Sequence, residues 1–390
     1  MSAPISRRGA REGPESNLLL HGVPSGVCRA SLSWHYSAWL GTVSGALFLL
    51  LVLSGLPLLF LYVPSTERAY QSMKDIEYVV TYGWWIRAVH RVAAHLMVVA
   101  VILHLARVFV TGAYKNGLGQ GQHREWNWLI GVAMLLVTLA LAFTGYLLPW
   151  DQLAYWAVTV GTSIVSSVPA IGSRARELLI GGRAIGQATL VRFYALHVLL
   201  LPGALAVLFA YHLWRIRRDG GLAAADALEW DLAEHALPGL IFRALTVTAG
   251  TFAIVSVLAG VVPTPLAAPA NPLMTPNPAK APWFFLWLQE AVTDTTIRLG
   301  AFRVNGALVG GVLLPGLLLG LLTVWPWLDR SAAAGTAGRW FPRSRRTQIV
   351  AFIAVLAVVL ALTCLGLFMR GPYWDVYWPW EAWPEIPSRI

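Results

Sequence analysis

Hydrophobic residues fall in seven long blocks along the chain, separated by polar or proline-rich connections. Each block holds roughly 20 mostly apolar residues, the length that an α-helix needs to cross the hydrocarbon core of a bilayer. The pattern therefore predicts an all-α integral membrane protein with about seven transmembrane helices. The predicted segments are about 36–63, 84–111, 127–148, 190–215, 243–263, 304–327 and 348–369.

Two connections, 149–189 and 264–303, are too long and too apolar to be simple turns. Loops of this length in a compact protein usually carry function. We expect short interfacial helices in both, covering a site on the outer face of the membrane. A Gly- and Ala-rich linker at 219–242 predicts a boundary between a four-helix part, residues 36–218, and a three-helix part, residues 243–369.

The two ends of the chain are polar or rich in Trp and Pro. A polar tail, residues 1–35, precedes the first block, and a Trp- and Pro-rich segment, residues 370–390, follows the last. Basic residues cluster in the connections 112–126, 216–243 and 328–347. The positive-inside rule then predicts an N-terminus on the cytoplasmic side of the membrane. The C-terminal segment is interpreted as an interfacial anchor on the outer side.

Composition supports the membrane assignment. Apolar residues make up 57% of the chain and charged residues 12%, against about 25% charged residues in soluble domains, which excludes a cytosolic globule. The net charge of +10 is explained by the basic loops, and no nucleic-acid partner is expected because no basic and aromatic groove pattern accompanies it. Cys28 and Cys364 are too far apart in sequence to indicate a disulfide framework or a zinc site. Any metal is therefore held by histidine or by a cofactor.

Four of the nine histidines lie inside predicted transmembrane helices: His90 and His104 in the second, His197 and His212 in the fourth. At 100° per residue, the 14-residue step places His90 and His104 within about 40° of each other, and the 15-residue step places the second pair within about 60°. The two levels are separated by roughly 21 Å along the axis. Because both helices cross in the same direction, we expect His90 to pair with His197 and His104 with His212.

Paired imidazoles without a nearby Cys or carboxylate favour bis-histidine haem ligation. The four histidines are therefore the predicted iron ligands of two b-type haems. Interhelical hydrogen bonding between core histidines is the alternative, which the paired spacing disfavours. His95 lies some 140° around the helix from His90 and is interpreted as structural.

Glycines repeat the histidine step. Gly41 and Gly55 lie 14 residues apart in the first segment, and Gly131 and Gly145 lie 14 apart in the third. A haem edge pressed against a helix needs a position without a side chain, so these four glycines are predicted to line the haem sites. Ordinary helix contact through small residues is the alternative.

Arginines flank the same positions. Arg87 and Arg91 are costly at a membrane margin unless they are paired, and haem propionates are the partners that we expect. Arg107, three residues after His104, is predicted to serve the second haem or a lipid phosphate.

Three strings resemble the cytochrome b of Rieske–cytochrome b quinol-oxidising complexes. They are Ile86-Arg-Ala-Val-His90-Arg91, Thr144-Gly-Tyr-Leu-Leu-Pro-Trp150-Asp151-Gln152 and Arg192-Phe-Tyr-Ala-Leu-His197. The resemblance covers most of residues 30–327. The step of 15 from His197 to His212 resembles the plastid-type branch, in which a four-helix cytochrome and a three-helix subunit four are separate chains. Here the two parts look fused.

The resemblance implies a quinol oxidoreductase subunit in an inner, energy-transducing membrane. Quinol would be oxidised at an outer site, with one electron passing to a Rieske iron–sulfur protein and the other crossing two b haems to a quinone at an inner site. Proton release outside would couple this reaction to proton translocation. A c-type cytochrome or equivalent acceptor and a homodimeric complex are also implied. His90 and His197 would then hold the outer haem, and His104 and His212 the inner one.

The outer quinol site departs from the family pattern. The family has a Pro-Glu-Trp-Tyr string whose carboxylate accepts a quinol proton, whereas this chain has Ala281-Pro282-Trp283-Phe284. Glu290, seven residues after Trp283 and on a similar helix face, is the candidate base; a solvated interfacial carboxylate is the alternative. By resemblance, Trp283, Tyr146 and Asp151 complete the candidate catalytic set.

A third haem is not expected. The plastid-type branch attaches one covalently through a Cys at the start of the first helix, where this chain has Trp39, and Cys28 is interpreted as a plain thiol. The prediction is two noncovalent b haems, with quinol as substrate. Two other function classes stay open: a dihaem membrane anchor that passes electrons without bifurcation, and a transporter that uses the intramembrane histidines and arginines.

Overall fold

The computed structural model describes residues 27–28, 32–116, 122–219, 221, 232–233, 237–331 and 340–384. The predictions for most of the N-terminal tail, for most of the 219–242 linker and for residues 385–390 lie outside this described part, as does the side chain of Cys28.

Seven helical spans in the described residues are long and apolar enough to cross a bilayer. The prediction of an all-α membrane protein with seven transmembrane helices is thereby confirmed, and the bounds agree to within about five residues. The spans are α2 (Leu40–Leu61), α4 (Gly83–Thr111), α5 (Arg124–Leu147), α8 (Gln187–Ala195) continued by α9 (Leu201–Arg218), α10 (Leu237–Val261), α12 (Gly306–Leu308) continued by α13 (Leu314–Leu328), and α14 (Arg346–Cys364).

Short elements lie between the spans. They are α1 (Trp34–Ser37), α3 (Ala69–Tyr78), α6 (Gln152–Ser166), α7 (Gly172–Ile180), α11 (Trp283–Asp294), the paired strands β1 (Val27–Cys28) and β2 (Leu232–Ala233), and the hairpin of β3 (Ile297–Leu299) and β4 (Phe302–Val304). Helices α6, α7 and α11 lie in the two long connections for which interfacial helices were predicted. Helix α3 and the hairpin had no prediction, because neither carries a long apolar block.

Asp151 determines where α6 begins. Its Oδ1 accepts a hydrogen bond from the backbone N–H of Ala154 at 2.9 Å, which is the N-cap interaction. Its Oδ2 accepts from the N–H of Ala267 at 3.2 Å. Asp151 therefore starts α6 and ties it to the connection that follows α10.

The fourth span contains a π-helical turn at Leu196–Leu200, just before Pro202. Proline lacks the N–H that an α-helical turn would use, and a π-bulge accommodates one additional residue in the helix. The 15-residue step from His197 to His212 therefore covers the same number of turns as the 14-residue step from His90 to His104. For this reason the two helices can bring both histidine pairs face to face, His90 with His197 and His104 with His212.

The first core cluster joins α2, α4, α9 and α10. Leu47, Ala93 and Val255 are fully or almost fully buried within it. Large apolar side chains such as Phe60 and Val207 are instead exposed on the outside of the bundle, where hydrocarbon and not water is the solvent of a membrane protein. The bundle thus holds α2, α4, α5 and α9 around a central axis, with α10 packed against α2 and α4.

A buried ionic cluster joins the ends of α4, α13 and α14. Arg345 Nη1 lies 2.7 Å from Asp329 Oδ2, and both side chains are fully buried. The Tyr114 hydroxyl donates to the same oxygen at 2.6 Å. Arg345 also donates to the carbonyls of Phe109 and Val110, which are among the last carbonyls of α4 and lack the N–H donor that an α-helix supplies four residues later. The cluster therefore caps α4 and fixes the three-helix part to the four-helix bundle.

Replacing Asp329 with asparagine is expected to destabilise the protein by about 3–5 kcal/mol, because Arg345 keeps a buried charge without its partner. Burial raises the pKa of Asp329, but hydrogen bonds from Tyr114, Ser331 and Arg345 outweigh this effect and hold the pKa below its ordinary value. A lowered pKa stabilises the fold above the pKa of the unfolded chain, and this stabilisation is lost as the pH falls through the folded-state pKa. The difference in unfolding temperature between wild type and Asp329→Asn should therefore persist down to about pH 5 and shrink below about pH 4.

Thermal unfolding in detergent across this pH range checks the prediction. Glu67→Gln, at an exposed position, is the matched control and should unfold with the wild type. Equal unfolding temperatures of wild type and Asp329→Asn at pH 7 would contradict it.

Candidate functional site

Two pairs of imidazoles face each other across the bundle between α4 and the fourth span. The ring centroids of His90 and His197 are 6.2 Å apart, and those of His104 and His212 are 6.4 Å apart. A metal midway between two imidazole nitrogens, each at about 2.0 Å from it, gives about 6.3 Å between the ring centroids. Both pairs therefore have the spacing of two axial ligands to one metal ion.

Hydrogen bonds orient the rings of the first pair. Ser54 donates its only hydroxyl hydrogen to Leu50 O at 2.7 Å, so its oxygen accepts from His90 Nδ1 at 3.0 Å. His197 Nδ1 lies 3.1 Å from the carbonyl of Leu141 and donates to it. With Nδ1 protonated in both rings, Nε2 is the nitrogen with a free lone pair. This arrangement of outer hydrogen bonds is the one that fixes metal-ligating histidines.

Each of the four glycines faces one of these imidazoles, and three of them leave space that a side chain would take. A Cβ built on Gly41 would lie 3.3 Å from His104 Cε1, and one on Gly55 would lie 3.2 Å from His90 Cε1. A Cβ on Gly131 would lie 4.0 Å from His212, and one on Gly145 would overlap the ring of His197. The two glycines of α2 face the histidines of α4. Of the two glycines of α5, Gly131 faces His212 on α9 and Gly145 faces His197 in the π turn before α9. The atoms nearest to Gly41, Gly55 and Gly145 are thus those of the candidate ligand imidazoles, and the contact of these glycines with a haem edge stays a prediction.

The donor set fits a haem better than a bare ion. Among the residues that the structure describes, no group of three or more His, Cys, Asp and Glu side chains is arranged to hold a metal. Two imidazoles alone are too few ligands for an isolated ion, but they complete the coordination of an iron whose other four ligands come from a porphyrin. The residues at both levels therefore fit a bis-histidine haem.

The arginines have protein partners. Arg87 Nη1 lies 2.6 Å from Glu77 Oε2 and 2.6 Å from the carbonyl of Thr264. Arg91 donates to the carbonyl of Pro265 at 3.3 Å. Glu77 belongs to α3, which crosses next to the start of α4, and the sequence did not predict that helix. Arg87 is thus paired with a carboxylate of the chain, and the pairing of Arg87 and Arg91 with haem propionates stays a prediction.

A cavity of about 560 Å³ lies between α5, α6 and α11. Its wall is mostly apolar, with Phe143 and Phe285 among the lining residues. Phe143 precedes Gly145 by two residues on α5, so the cavity lies at the level of the His90–His197 pair. We call this the His90 side of the bundle. Five lining residues that were not predicted from the sequence carry polar side-chain atoms: Trp156, Lys280, Gln289, Thr293 and Trp374.

None of the four candidate catalytic residues belongs to the described lining of this cavity. Trp283 Nε1 donates to His95 Nδ1 at 2.9 Å, which fixes the start of α11 against α4. Asp151 caps α6, and Tyr146 lies in the last turn of α5. Glu290 is rotated about 100° from the cavity residue Gln289 on the same helix. Trp283 and Glu290 follow the lining residues Pro282 and Gln289 in sequence, and none of the four forms the described inner surface of the cavity.

Glu290 is a fully buried carboxylate with a charged partner. Arg370 Nη2 and Nε donate to Glu290 Oε2 at 2.9 and 3.0 Å, and Arg370 Nη2 also reaches Asp294 Oδ1 at 3.3 Å. Burial raises the pKa of Glu290, and the hydrogen bond and charge of Arg370 oppose this effect without cancelling it. Glu290 is therefore an internal ion-pair partner and not a solvated surface carboxylate.

A second, smaller cavity of about 160 Å³ lies at the opposite level, the His104 side. Its lining includes His104, His212, Arg107 and Asn127. Asn127 Oδ1 is buried, and it has no hydrogen-bond partner within the described part of the chain. Polar acceptor and donor groups thus border the second histidine pair.

Comparisons with known proteins agree with this geometry. The family model described as cytochrome b/b6/petB matches residues 27–220, and the model described as cytochrome b(C-terminal)/b6/petD matches residues 269–376. Cytochrome b6 of Synechococcus elongatus is 41% identical over 181 residues, which are 46% of this chain and 81% of that protein. Cytochrome b6 of Prochlorococcus marinus strain AS9601 is 42% identical over 181 residues, 46% of this chain and 80% of that protein.

One solved structure extends the similarity to both parts of the chain. A hyperthermophilic respiratory Complex III chain superposes with a TM-score of 0.70 at 26% identity. The match covers 88% of this chain and 86% of the other. The likeness therefore includes the three-helix part as well as the four-helix bundle.

Proposed function

Because the chain belongs to the cytochrome b/b6 family and is a subunit of a quinol oxidoreductase complex, we propose that it oxidises quinol in the cavity between α5, α6 and α11. One electron passes to a Rieske iron–sulfur protein, and the other crosses the membrane to a quinone on the His104 side. The observation that carries this proposal is the alignment of two imidazole pairs across the bundle with the larger cavity beside the first pair. His90 with His197, and His104 with His212, would each hold one noncovalent b haem, and the two haems would supply one-electron carriers for the second electron.

The orientation proposed for the chain follows the basic loops. The N-terminus and the His104 side face the cytoplasm, and the His90 side faces outward. Quinol oxidation on the outer side then releases protons there, while quinone reduction on the His104 side takes protons from inside. The smaller cavity is lined by both His104 and His212 and would hold the haem of that side, with Arg107 and Asn127 beside it.

The partners proposed for the chain follow from the same family. A Rieske protein and a c-type cytochrome or equivalent acceptor complete the complex in a bilayer, and two copies of the chain form a homodimer within it. The arginines keep a supporting role, in which Arg87 and Arg91 join α4 to α3 and to the connection after α10. Gly41, Gly55 and Gly145 let the ligand imidazoles lie close to the neighbouring helices, and these three glycines together with Gly131 line the haem sites.

Haem content and a redox spectrum test the proposal. The purified chain should give a dithionite-reduced minus oxidised spectrum of b haem, with two haems per polypeptide, both extractable by acid–acetone. A third haem that resists extraction would indicate covalent attachment at Cys28 and overturn the prediction of two noncovalent groups. A colourless protein would overturn the oxidoreductase proposal.

The missing family carboxylate supports a second candidate function. Within the described lining of the larger cavity there is no Asp or Glu, and a dihaem anchor that passes electrons between quinone and another redox protein needs none. Such an anchor would copurify without a Rieske protein and would not respond to quinol analogues that block the outer site. Copurification of a Rieske protein together with analogue inhibition supports bifurcation.

Glu290 is proposed as the group that receives a quinol proton. It adjoins the lining residue Gln289, and Arg370 stabilises its ionised form, which is the form able to accept a proton. Since burial raises its pKa, the rate should rise with pH as the carboxylate ionises.

Glu290→Gln is expected to lower kcat for quinol oxidation by about 10²-fold and to remove the ascending limb of the pH–rate profile. Steady-state quinol oxidation in the intact complex, measured between pH 5 and 9, checks both effects. The reduced haem spectrum of the variant, which should be unchanged, is the control for folding. Full activity with an unaltered pH profile would remove Glu290 from the proton path.

A further inference from the structure

The chain returns to α11 after the last span. Beyond α14 and a π turn at Leu365–Met369, Arg370 and the following residues fold over the helix that lines the larger cavity. Trp374 reaches the cavity wall in this way, although it lies 81 residues beyond Thr293 in the sequence. The C-terminal segment is therefore not only an interfacial anchor.

Three hydrogen bonds form a closed loop between this segment and α11. Glu290 on α11 accepts from Arg370 Nη2 at 2.9 Å, and Arg370 Nη1 donates to the carbonyl of Trp374 at 2.8 Å. Trp374 Nε1 then donates to Thr293 Oγ1 at 3.0 Å, back on α11. Glu290 is fully buried and the Arg370 side chain is 11% exposed, so water competes little for these bonds.

The π turn Leu365–Met369 packs directly against the carboxylate of the Glu290–Arg370 ion pair. A Cβ on Gly366 would lie 3.2 Å from Glu290 Oε1 and 3.3 Å from Leu286 Cδ2. The carboxylate is thus enclosed between α11 and the π turn that precedes Arg370. Its position, and through it that of Arg370, is determined from both sides.

The backbone at Trp374 is held in an unfavourable conformation. Tyr373 has φ 61° and Trp374 has φ 65°, a region that side chains other than glycine rarely adopt. Such conformations persist only where surrounding contacts impose them, and they concentrate at functional sites. Here the bond from Arg370 to the Trp374 carbonyl and the bond from Tyr373 N to Asn277 Oδ1 at 2.5 Å impose it.

We propose that Trp374 is a specificity-determining wall of the quinol cavity and that Arg370, held by Glu290, is the residue that positions it. This inference rests on the proposed quinol oxidation in that cavity. The indole presents a flat apolar face to a quinol ring, a surface typical of small-molecule pockets. Its Nε1 is occupied by Thr293, so the ring is fixed and not free to rotate away. Removal of the indole enlarges the cavity and weakens quinol binding without touching the groups that transfer electrons.

Steady-state quinol oxidation by the intact complex tests this assignment, with a short-chain ubiquinol as substrate. Trp374→Ala should raise KM about 10-fold and leave kcat within a factor of two. Arg370→Gln should raise KM by a similar factor, and Arg370→Lys should recover part of the loss because it keeps a positive charge beside Glu290. Trp380→Ala, in the same segment but 78% exposed and stacked only on Trp378 among the described aromatic residues, is the matched control and should leave KM unchanged.

A double-mutant cycle separates positioning from general damage to the fold. If Arg370 acts through Trp374, the variant carrying both Arg370→Gln and Trp374→Ala should have the KM of Trp374→Ala alone. A KM that is the product of the two single effects would overturn the positioning role. A KM for Trp374→Ala equal to that of the wild type would overturn the wall itself.

The test also distinguishes this inference from the proposed function. A wild-type complex that does not oxidise quinol would contradict the proposed function. An active wild type in which Trp374→Ala and Trp380→Ala behave alike would contradict only the inference. Glu290→Gln adds one more comparison: a KM effect equal to that of Arg370→Gln, with an unaltered pH profile, would assign Glu290 to positioning and not to proton transfer.

Discussion

Replacing His197 with alanine is expected to lower the haem content of the purified chain from two per polypeptide to about one and to abolish quinol oxidation. The ring of His197 lies opposite His90 at 6.2 Å between centroids, and its loss leaves a single imidazole at that level. A bis-histidine haem with one axial ligand is held weakly, and electron transfer between the two sides then fails. Haem quantification and a reduced minus oxidised spectrum measure the effect.

His95→Gln is the matched control for this variant. His95 lies on α4 between His90 and His104, and its Nδ1 accepts from Trp283 Nε1. Its replacement should leave two haems in place, because His95 faces α11 and not the bundle axis. Two full haems in His197→Ala, or the loss of a haem in His95→Gln, would contradict the ligand assignment.

Gly145→Ala is expected to have the second largest effect, although it adds only one methyl group. The new Cβ overlaps the ring of His197, so either the imidazole leaves its position or α5 moves away from the fourth span. Overpacking of this kind costs about 1–3 kcal/mol. We expect partial loss of the haem on the His90 side and a lower unfolding temperature, both measurable on the purified chain.

The other glycines provide a graded series of controls. Gly55→Ala and Gly41→Ala place a Cβ at 3.2 and 3.3 Å from their histidines and should have smaller effects, and Gly131→Ala, at 4.0 Å, should have almost none. Gly250→Ala, where no atom lies within 4 Å, should stabilise α10 by about 0.5–1 kcal/mol through helix propensity. Equal effects at Gly145 and Gly250 would show that the glycines serve the helices and not the imidazoles.

Local patterns determined the spans and the ligand candidates. In lipid, a single segment of roughly 20 apolar residues can satisfy all its backbone polar groups only by forming a helix. Seven such blocks therefore predict seven helices. The helical period then places His90 and His104 on one face without any knowledge of the neighbours. Both predictions depend only on contacts within one helix and with lipid.

The same patterns do not determine how one helix is aligned with its neighbour, that is, which residues of the two helices face each other. The steps of 14 and 15 residues differ, and ideal helices would leave the second pair rotated by about 60°. The π turn at Leu196–Leu200 absorbs the extra residue, and both pairs then have nearly equal spacings. Pro202 lies in the middle of the Gln187–Arg218 span, and a proline there is compatible with several local geometries, so its presence alone does not predict the π turn.

The sequence by itself therefore determined the membrane-spanning fold, the family resemblance and the four histidines, since each follows from the periodicity or local identity of one segment. Only the tertiary structure decided the partners of Arg87, the burial of Glu290 against Arg370 and the place of Trp374 in the cavity wall. Those contacts join residues 10, 80 and 81 positions apart. They depend on how α3 and the C-terminal segment fold back on the bundle. Hydrophobic periodicity describes which face of an element is apolar, but it carries no information about which distant segment covers that face.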